Sequence, residues 1–319
     1  MHAAESAQIE GFRPPAAITP LLLCSQTIRL RPAYLYLPAE SISMIRKILE
    51  YFFGERKSSP SITWQPAWSN FLMDQVAFYR VMSDGDRKLF EQRMLLFLLT
   101  TTVEATAFEV EDEDRLLVAA SAVIPVWGFP KWHYFNLNSV FLMPNAFNDR
   151  FECSAPDSLI TGMVGTGPMA GKMVLSRPAL KQGFQNSRDK RNVGIHEFVH
   201  LIDMADGECD GYPERLKEYA YAIPWFELMG KKTREINSGK ASIREYAAWN
   251  RAEFFAVSSE YFFERPGMLK SKHPELYTAL ADIYQQDVKA IASDVKPQKK
   301  APCPCGSGIR YKHCCMPKG

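Results

Sequence analysis

Apolar positions recur at helical spacing along most of the chain. In "MIRKILEYFFGERK", Ile45, Ile48, Leu49 and Phe52 share one helix face, which would dock on the body of the protein or, on a second reading, touch a membrane surface. Ser83 or Asp84 caps a long predicted helix through "DRKLFEQRMLLFLLTTTVEAT". "RLLVAASAVIPV" is apolar all round, which predicts a wholly buried helix that ends before Pro125. "YFNLNSVFLMP" and "GKMVLSRP" read as strands. Further helices are expected at about 190–204, 214–230, 243–263 and 274–292. Helices around a small mixed sheet place the chain in the α+β class.

Residues 1–43 have weak periodicity and several prolines, which predicts a poorly ordered extension and makes Met44 a candidate start. A single domain is expected over 44–295, then a polar linker at 296–302 within "SDVKPQKKAP", then a separate small unit at 303–319. There is no internal repeat and no low-complexity tract.

Composition narrows the class. The chain has 319 residues, of which 46% are apolar, enough for a substantial core. Its 38 basic and 36 acidic side chains leave a net charge of +2, which gives no sign of a nucleic-acid binder. The short apolar run from Leu21 to Cys24 does not make a secretory signal, Leu23 spoils a lipoprotein reading, and no stretch approaches a membrane span. Four of the seven cysteines crowd into residues 303–315, which suits a metal site in a reducing compartment better than a disulfide framework. A cytoplasmic protein is expected.

The stretch "VGIHEFVHLIDMADG" carries His196, Glu197 and His200 as H-E-x-x-H. Residues four apart lie one above the other on a helix, so both imidazoles can meet one zinc ion. Glu197 sits one step round, placed to take a proton from a zinc-bound water. The surrounding Ile195, Phe198, Val199, Leu201 and Ile202 predict burial, where two histidines without a partner would be costly. A third ligand is needed. The longer H-E-x-x-H-x-x-G-x-x-H pattern is excluded by Asp203 and Asp206, and a later helix offers Glu253 and Glu260. They are seven apart and lie on nearly one face, so spacing does not choose between them.

"HEFVHLIDMADG" followed by "YAAWNRAEFFAVSSEYFFERP" resembles the Mlc titration factor A family of zinc peptidases, itself similar to the catalytic core of anthrax lethal factor among the H-E-x-x-H zincins. The resemblance runs from about Met44 to residue 292 and is strongest between Asn192 and Pro266. It implies Glu253 as third ligand, within "RAEFF" where the family usually has Pro-Ala-Glu and this chain has Arg251. It implies that Tyr246, seven residues before Glu253, donates to the oxyanion of the tetrahedral intermediate; a core tyrosine is the plainer reading. Glu260 and Asp203 are expected to orient a ligand imidazole, or to serve as surface or capping groups. By the same resemblance the strand at 171–178 borders the cleft and offers its edge to a substrate. The glycine-rich "GTGPMAG" before it lacks the Lys-Ser/Thr ending of a phosphate loop.

In "CPCGSGIRYKHCC", Cys303, Cys305, Cys314 and Cys315 offer four thiolates, and Gly306 and Gly308 permit the turn between them. So short a segment has no core, and metal binding would supply its folding energy. It is similar to the SEC-C motif, which implies a structural zinc and an adaptor that docks on a protein or the ribosome; His313 is a substitute ligand. Cys24, Cys153 and Cys209 are expected to be unligated, and His133 and His273 are isolated.

The expected function is a zinc-dependent metallopeptidase, an amino- or endopeptidase acting on a peptide or protein, with one catalytic and one structural zinc. The alternative is a regulatory protein that sequesters a transcriptional repressor with weak or no hydrolysis. Hydrolysis of a non-peptide amide ranks third.

Overall fold

A computed structural model describes residues 62–186, 189–213 and 222–288, together with Arg310 and His313. The expected extension at 1–43, the helix opening at Met44, the linker at 296–302 and Cys303, Cys305, Cys314 and Cys315 lie outside the described residues. Those that are described form ten α-helices and one four-stranded sheet, the α+β class the pattern predicts.

Helices α1 (Pro66–Gln75) and α2 (Ala77–Arg80) lead into α3 (Asp84–Thr100). Ser83 caps α3 by accepting from the Asp86 N–H at 3.2 Å, and Asp84 and Asp86 place negative charge at the positive end of the helix dipole. The helix expected to run on through "TTTVEAT" stops at Thr100. The β-branched run Thr100–Val103 favours extended backbone, and β1 (Thr102–Ala105) follows. Helix α4 (Asp112–Val123) is buried from Leu116 onward and opens with a capping box in which Glu111 and Asp114 each accept from the other's backbone N–H.

Strand β2 (Leu137–Met143) pairs in parallel with β1 and with β4 (Gly171–Ser176). Strand β3 (Gly162–Val164) pairs antiparallel to β4, giving the order β1-β2-β4-β3. This corrects one expectation. "GKMVLSRP" is hydrogen-bonded on both sides, so it has no edge to offer a substrate. The edge belongs to β3, three residues long and too short to leave a period-2 signal.

Ser176 ends β4 and caps α5 (Arg177–Gln185), with Pro178 in its first turn. Helix α6 (Val193–Asp203) is buried at every position from Gly194 to Asp203 and packs against β3, β4, α4 and α8 (Arg251–Glu264). Gly194 permits the close approach to α4, since a Cβ there would lie 2.8 Å from Ser121 Cβ. Helix α7 (Ala222–Asn237) continues past the expected end near 230, and residues 214–221 lie outside the description. The helix expected over 243–263 is two elements, a 3-10 turn at Glu245–Ala248 and then α8, because Asn250 takes extended backbone and caps α8. After α9 (Pro266–Lys272), the helix expected over 274–292 is α10 (Pro274–Tyr284), which stops at Gln285, left-handed at φ 51°; residues 289–292 lie outside the described residues.

One contiguous core joins α1–α10 to one face of the sheet, with Phe198, Phe254, Phe255 and Phe262 fully buried where α6 meets α8. Each such side chain contributes about 1.5–3 kcal/mol. A smaller cluster of Met143, Phe147, Ile160, Met163, Met169 and Val174 covers the other face beneath the 144–161 loop. The first core fixes α6 and α8 as rigid supports for polar side chains that no isolated helix would bury.

Candidate metal centre

Asn192 starts α6 where the sequence turns apolar. Its Oδ1 accepts from the Ile195 N–H at 3.1 Å, the standard cap for an orphan helix donor. One turn in, His196 projects toward α8, and His200, a turn further on, meets it edge-on with ring centroids 4.7 Å apart. Asn250 caps α8 in the same way, accepting from the Glu253 N–H at 2.8 Å. That sets Glu253 in the first turn, where the helix dipole favours a carboxylate. Arg251 occupies the first helical position, a place proline also suits. Its replacement of the proline usual at this point therefore leaves the helix start and Glu253 in place.

The three side chains converge. His196 Nε2 lies 3.1 Å from His200 Nε2 and 3.2 Å from Glu253 Oε2, and His200 Nε2 lies 3.6 Å from Glu253 Oε1. All three residues are buried. Nitrogen and oxygen ligands at about 2.0–2.2 Å from a tetrahedral ion stand about 3.3–3.6 Å apart. The observed spacings of 3.1, 3.2 and 3.6 Å come within about 0.2 Å of that range, and Glu253 Oε2 has no hydrogen-bond partner although it is sealed from solvent. The donor set fits a zinc-type ion.

The local charge demands a cation at the same point. Burial opposes a charged imidazole at His196, but the carboxylates of Glu260 and Glu253 outweigh it and lift His196 to about 10. Burial would raise Glu253, yet hydrogen bonds and charge from His196 and His200 hold it well below the usual carboxylate range. A proton fills that demand between them; a divalent ion does so for all three donors at once.

Glu260 lies two turns further along α8 and faces the other side of His196. Its Oε1 accepts from His196 Nδ1 at 2.8 Å and from Arg244, and its Oε2 accepts from the Asn192 N–H at 2.6 Å. With Nδ1 so engaged, Nε2 is the ring nitrogen left facing Glu253 and able to ligate an ion once its proton is displaced. Asp203 behaves differently. Its Oδ2 accepts from the Gly211 N–H at 2.9 Å, while Asp203 Oδ1 and His200 Nδ1 both lack a partner. Asp203, a ring nitrogen of His200 and Cys209 nonetheless gather within 4.8 Å.

Glu197 is buried beside the three donors without joining them, and its Oε1 has no partner. Burial, reinforced by Glu253 and Glu260 against His196, pushes it up to about 8. Gly162 of β3 backs onto it: a Cβ at 162 would lie 2.7 Å from Glu197 Cγ and from Val193 Cγ2, and would also strike Glu197 Oε1. Tyr246 comes from the 3-10 turn and not from the face of α8. It still reaches the site, with its ring centroid 6.4 Å from that of His196. Burial and then the charge of Glu253 raise the phenol far above its usual value, so it stays a proton donor. Trp249, 62% exposed, packs edge-on against Tyr246 at the rim.

The sequence model of the glucose-regulated metallo-peptidase M90 family matches residues 53–285. The chain belongs to that family. A second match, to the SEC-C motif, covers residues 300–317. Among similar proteins, an uncharacterized protein of Synechocystis sp. is 29% identical over 231 residues, covering 69% of this chain and 83% of the relative. Mlc titration factor A of Serratia proteamaculans is 31% identical over 160 residues, covering 45% of this chain and 59% of that protein. The protein of the same name from Edwardsiella ictaluri is 34% identical over 143 residues, covering 40% of this chain and 53% of its own length. The chain thus spans between 38% and 59% of the length of the Mlc titration factor A proteins it matches. As a member of a metallopeptidase family with a SEC-C motif, it fits a peptide substrate and a metal requirement, and no helix among the described residues is long and apolar enough to cross a membrane.

Three residues around this candidate site escape a reading of the pattern. Asn192 joins α6 to α8 through the Glu260 contact and a 3.2 Å bond to Glu264; an Asn just before an apolar helix was its signal. Gly162 left only a glycine in a short strand. Arg244, on the loop before the 3-10 turn, left none.

Proposed function

We propose that the chain is a zinc-dependent peptidase whose catalytic ion is held by His196, His200 and Glu253. The convergence of three buried donors at metal-ligand spacing carries this reading. When bound there, zinc supplies a Lewis acid that polarises a carbonyl and acidifies water. Glu197, buried beside the three donors, takes the proton of the attacking water and returns it to the leaving amine. The protonated Tyr246 hydroxyl donates to the oxygen that gains charge as the carbonyl turns tetrahedral. Glu260 keeps the proton on His196 Nδ1. A peptide lies along the outer edge of β3, where its backbone adds a strand and brings the scissile bond over Glu197.

The peptidase domain is assigned to 44–295. A second, structural zinc is assigned to Cys303, Cys305, Cys314 and Cys315 in the SEC-C motif, which serves as a docking unit for a protein or the ribosome. Cysteine spacing of this kind suits the reducing cytoplasm. The name Mlc titration factor A, borne by relatives aligned over part of their length, favours a second reading in which the chain captures a transcriptional regulator.

Digestion of a peptide library by the purified protein, before and after chelation and after zinc is restored, tests the first reading. Cleavage should vanish with the metal and return with it. A fully zinc-loaded protein that cleaves no peptide would leave capture of a partner as the function.

A further inference from the structure

A small cavity of about 110 Å³ opens beside the metal centre, on the side of His196, Glu197 and Tyr246. A water occupies about 30 Å³ in the liquid, so the space suits a short polar group of a few heavy atoms. Ala179 and Gly183 of α5 keep one wall low, and Gly183 is required there: a Cβ would press on Asn192 Cα at 3.0 Å.

The charged groups around the cavity are unevenly satisfied. Of the three carboxylates that line it, Asp189 and Glu260 are occupied, while Glu197 Oε1 has no partner. Asp189 accepts from the Arg191 N–H at 3.1 Å and from Asn186 Nδ2 at 2.9 Å, and Glu260 accepts from His196, Asn192 and Arg244. The guanidinium groups are not so occupied. Arg244 spends one nitrogen on Glu260, its Nε has no acceptor, and a fifth of the side chain is open to solvent. Arg191 stands exposed at the mouth. A guanidinium has five N–H donors in a planar fork that matches a carboxylate.

We propose that Arg244, assisted by Arg191, makes this cavity a carboxylate subsite, so that the preferred peptides carry a carboxylate within a residue of the scissile bond. The source is an Asp or Glu side chain or the peptide's own C-terminus. The inference rests on the peptidase reading for its meaning, and its binding test stands apart from turnover.

The probes are the pentapeptide amides Ala-Ala-Asp-Ala-Ala and Ala-Ala-Asn-Ala-Ala, with pentaalanine as its acid and as its amide. Titration calorimetry into zinc-loaded Glu197→Gln protein should show the Asp peptide binding about tenfold to a hundredfold tighter than the Asn peptide, the range for a hydrogen bond to a charged group. If the terminal carboxylate is the source, that ratio appears between the acid and amide of pentaalanine instead. Arg244→Gln should bring the affected pair to near parity, and Arg191→Ala should narrow it severalfold. In the unmutated enzyme kcat/KM should follow the same order. Equal affinities within both pairs would overturn the proposal even if every peptide is cleaved. So would an Arg244→Gln protein that weakens both members of the pair alike, which is what a purely structural arginine would do. Failure of cleavage beside an intact binding ratio would instead count against the peptidase reading alone.

Discussion

Gly162→Ala adds one methyl group to β3 and should disable the site without touching a metal donor. Gly162 has ordinary strand backbone, so alanine costs nothing in φ and the whole effect is steric. The new Cβ would lie 2.7 Å from Glu197 Cγ and from Val193 Cγ2, where ordinary contact begins at 3.4 Å. Something must therefore move by about 0.7 Å or more. Glu197 is sealed between α6 and the sheet at 1% exposure and has no room to swing away. Overpacking of this kind costs about 1–3 kcal/mol, a drop of several degrees in melting temperature for a domain of this size. A displacement approaching 1 Å at the proton-transfer group costs about a hundredfold in turnover. Zinc content should hold, because His196, His200 and Glu253 are untouched. Gly267→Ala is the control: nothing lies within 4 Å of its Cβ, and a helix favours alanine. Peptide turnover and elemental analysis on both variants decide the matter. A Gly162→Ala protein that cleaves at the parent rate would refute the placement of Glu197 against β3.

Three further outcomes are expected. Glu260→Ala should weaken zinc binding about tenfold to a hundredfold by competition with a chelator while still loading one ion at excess zinc, whereas Glu253→Ala should not retain the catalytic ion at all; the reverse order would mean that Glu260 is the ligand. Burial pushes Glu264 up to about 8 from 4.5, so the folded state holds its proton more tightly, and this stabilisation is full below about pH 4.5 and lost as pH rises toward 8; Glu264→Gln should thus gain melting temperature on the parent between pH 5 and 8, by on the order of 1 kcal/mol after discount for partial exposure, and a constant difference across that range would contradict it. Truncation after residue 297 should remove one of two zinc ions and leave peptide cleavage largely intact, and a single ion in the full chain by elemental analysis would defeat the SEC-C half of the account.

The helix bearing His196 and His200 was legible because three signals coincide: an Asn cap, an unbroken apolar face and donors four apart. The choice between Glu253 and Glu260 was not, since seven residues return to nearly the same azimuth. What separates them is height, about 10 Å along α8, which lets one reach the Nε2 side of His196 and the other the Nδ1 side. The pattern puts Tyr246 on the continuous face of one helix, but Asn250 breaks that helix. The residue reaches the site by a turn whose direction no periodicity encodes. Strand β1 was hidden as the continuation of α3, because Thr and Val after a leucine-rich helix extend its pattern until the backbone changes. Strand β3 was invisible at three residues, and with it went the edge of the sheet and the contact of Gly162 with Glu197. Local rules recover elements and caps; edges and second-layer contacts depend on partners distant in the chain.

The central claim is that Glu197 acts on water beside a metal held by other residues. Glu197→Gln keeps the side chain's size and removes its basicity. Measured at equal zinc loading, its turnover of a cleaved library peptide should fall by roughly 10² to 10⁴, the usual worth of a positioned general base, with zinc content and melting temperature near those of the parent. A Glu197→Gln protein that cleaves as fast as the parent at equal zinc loading would contradict the account.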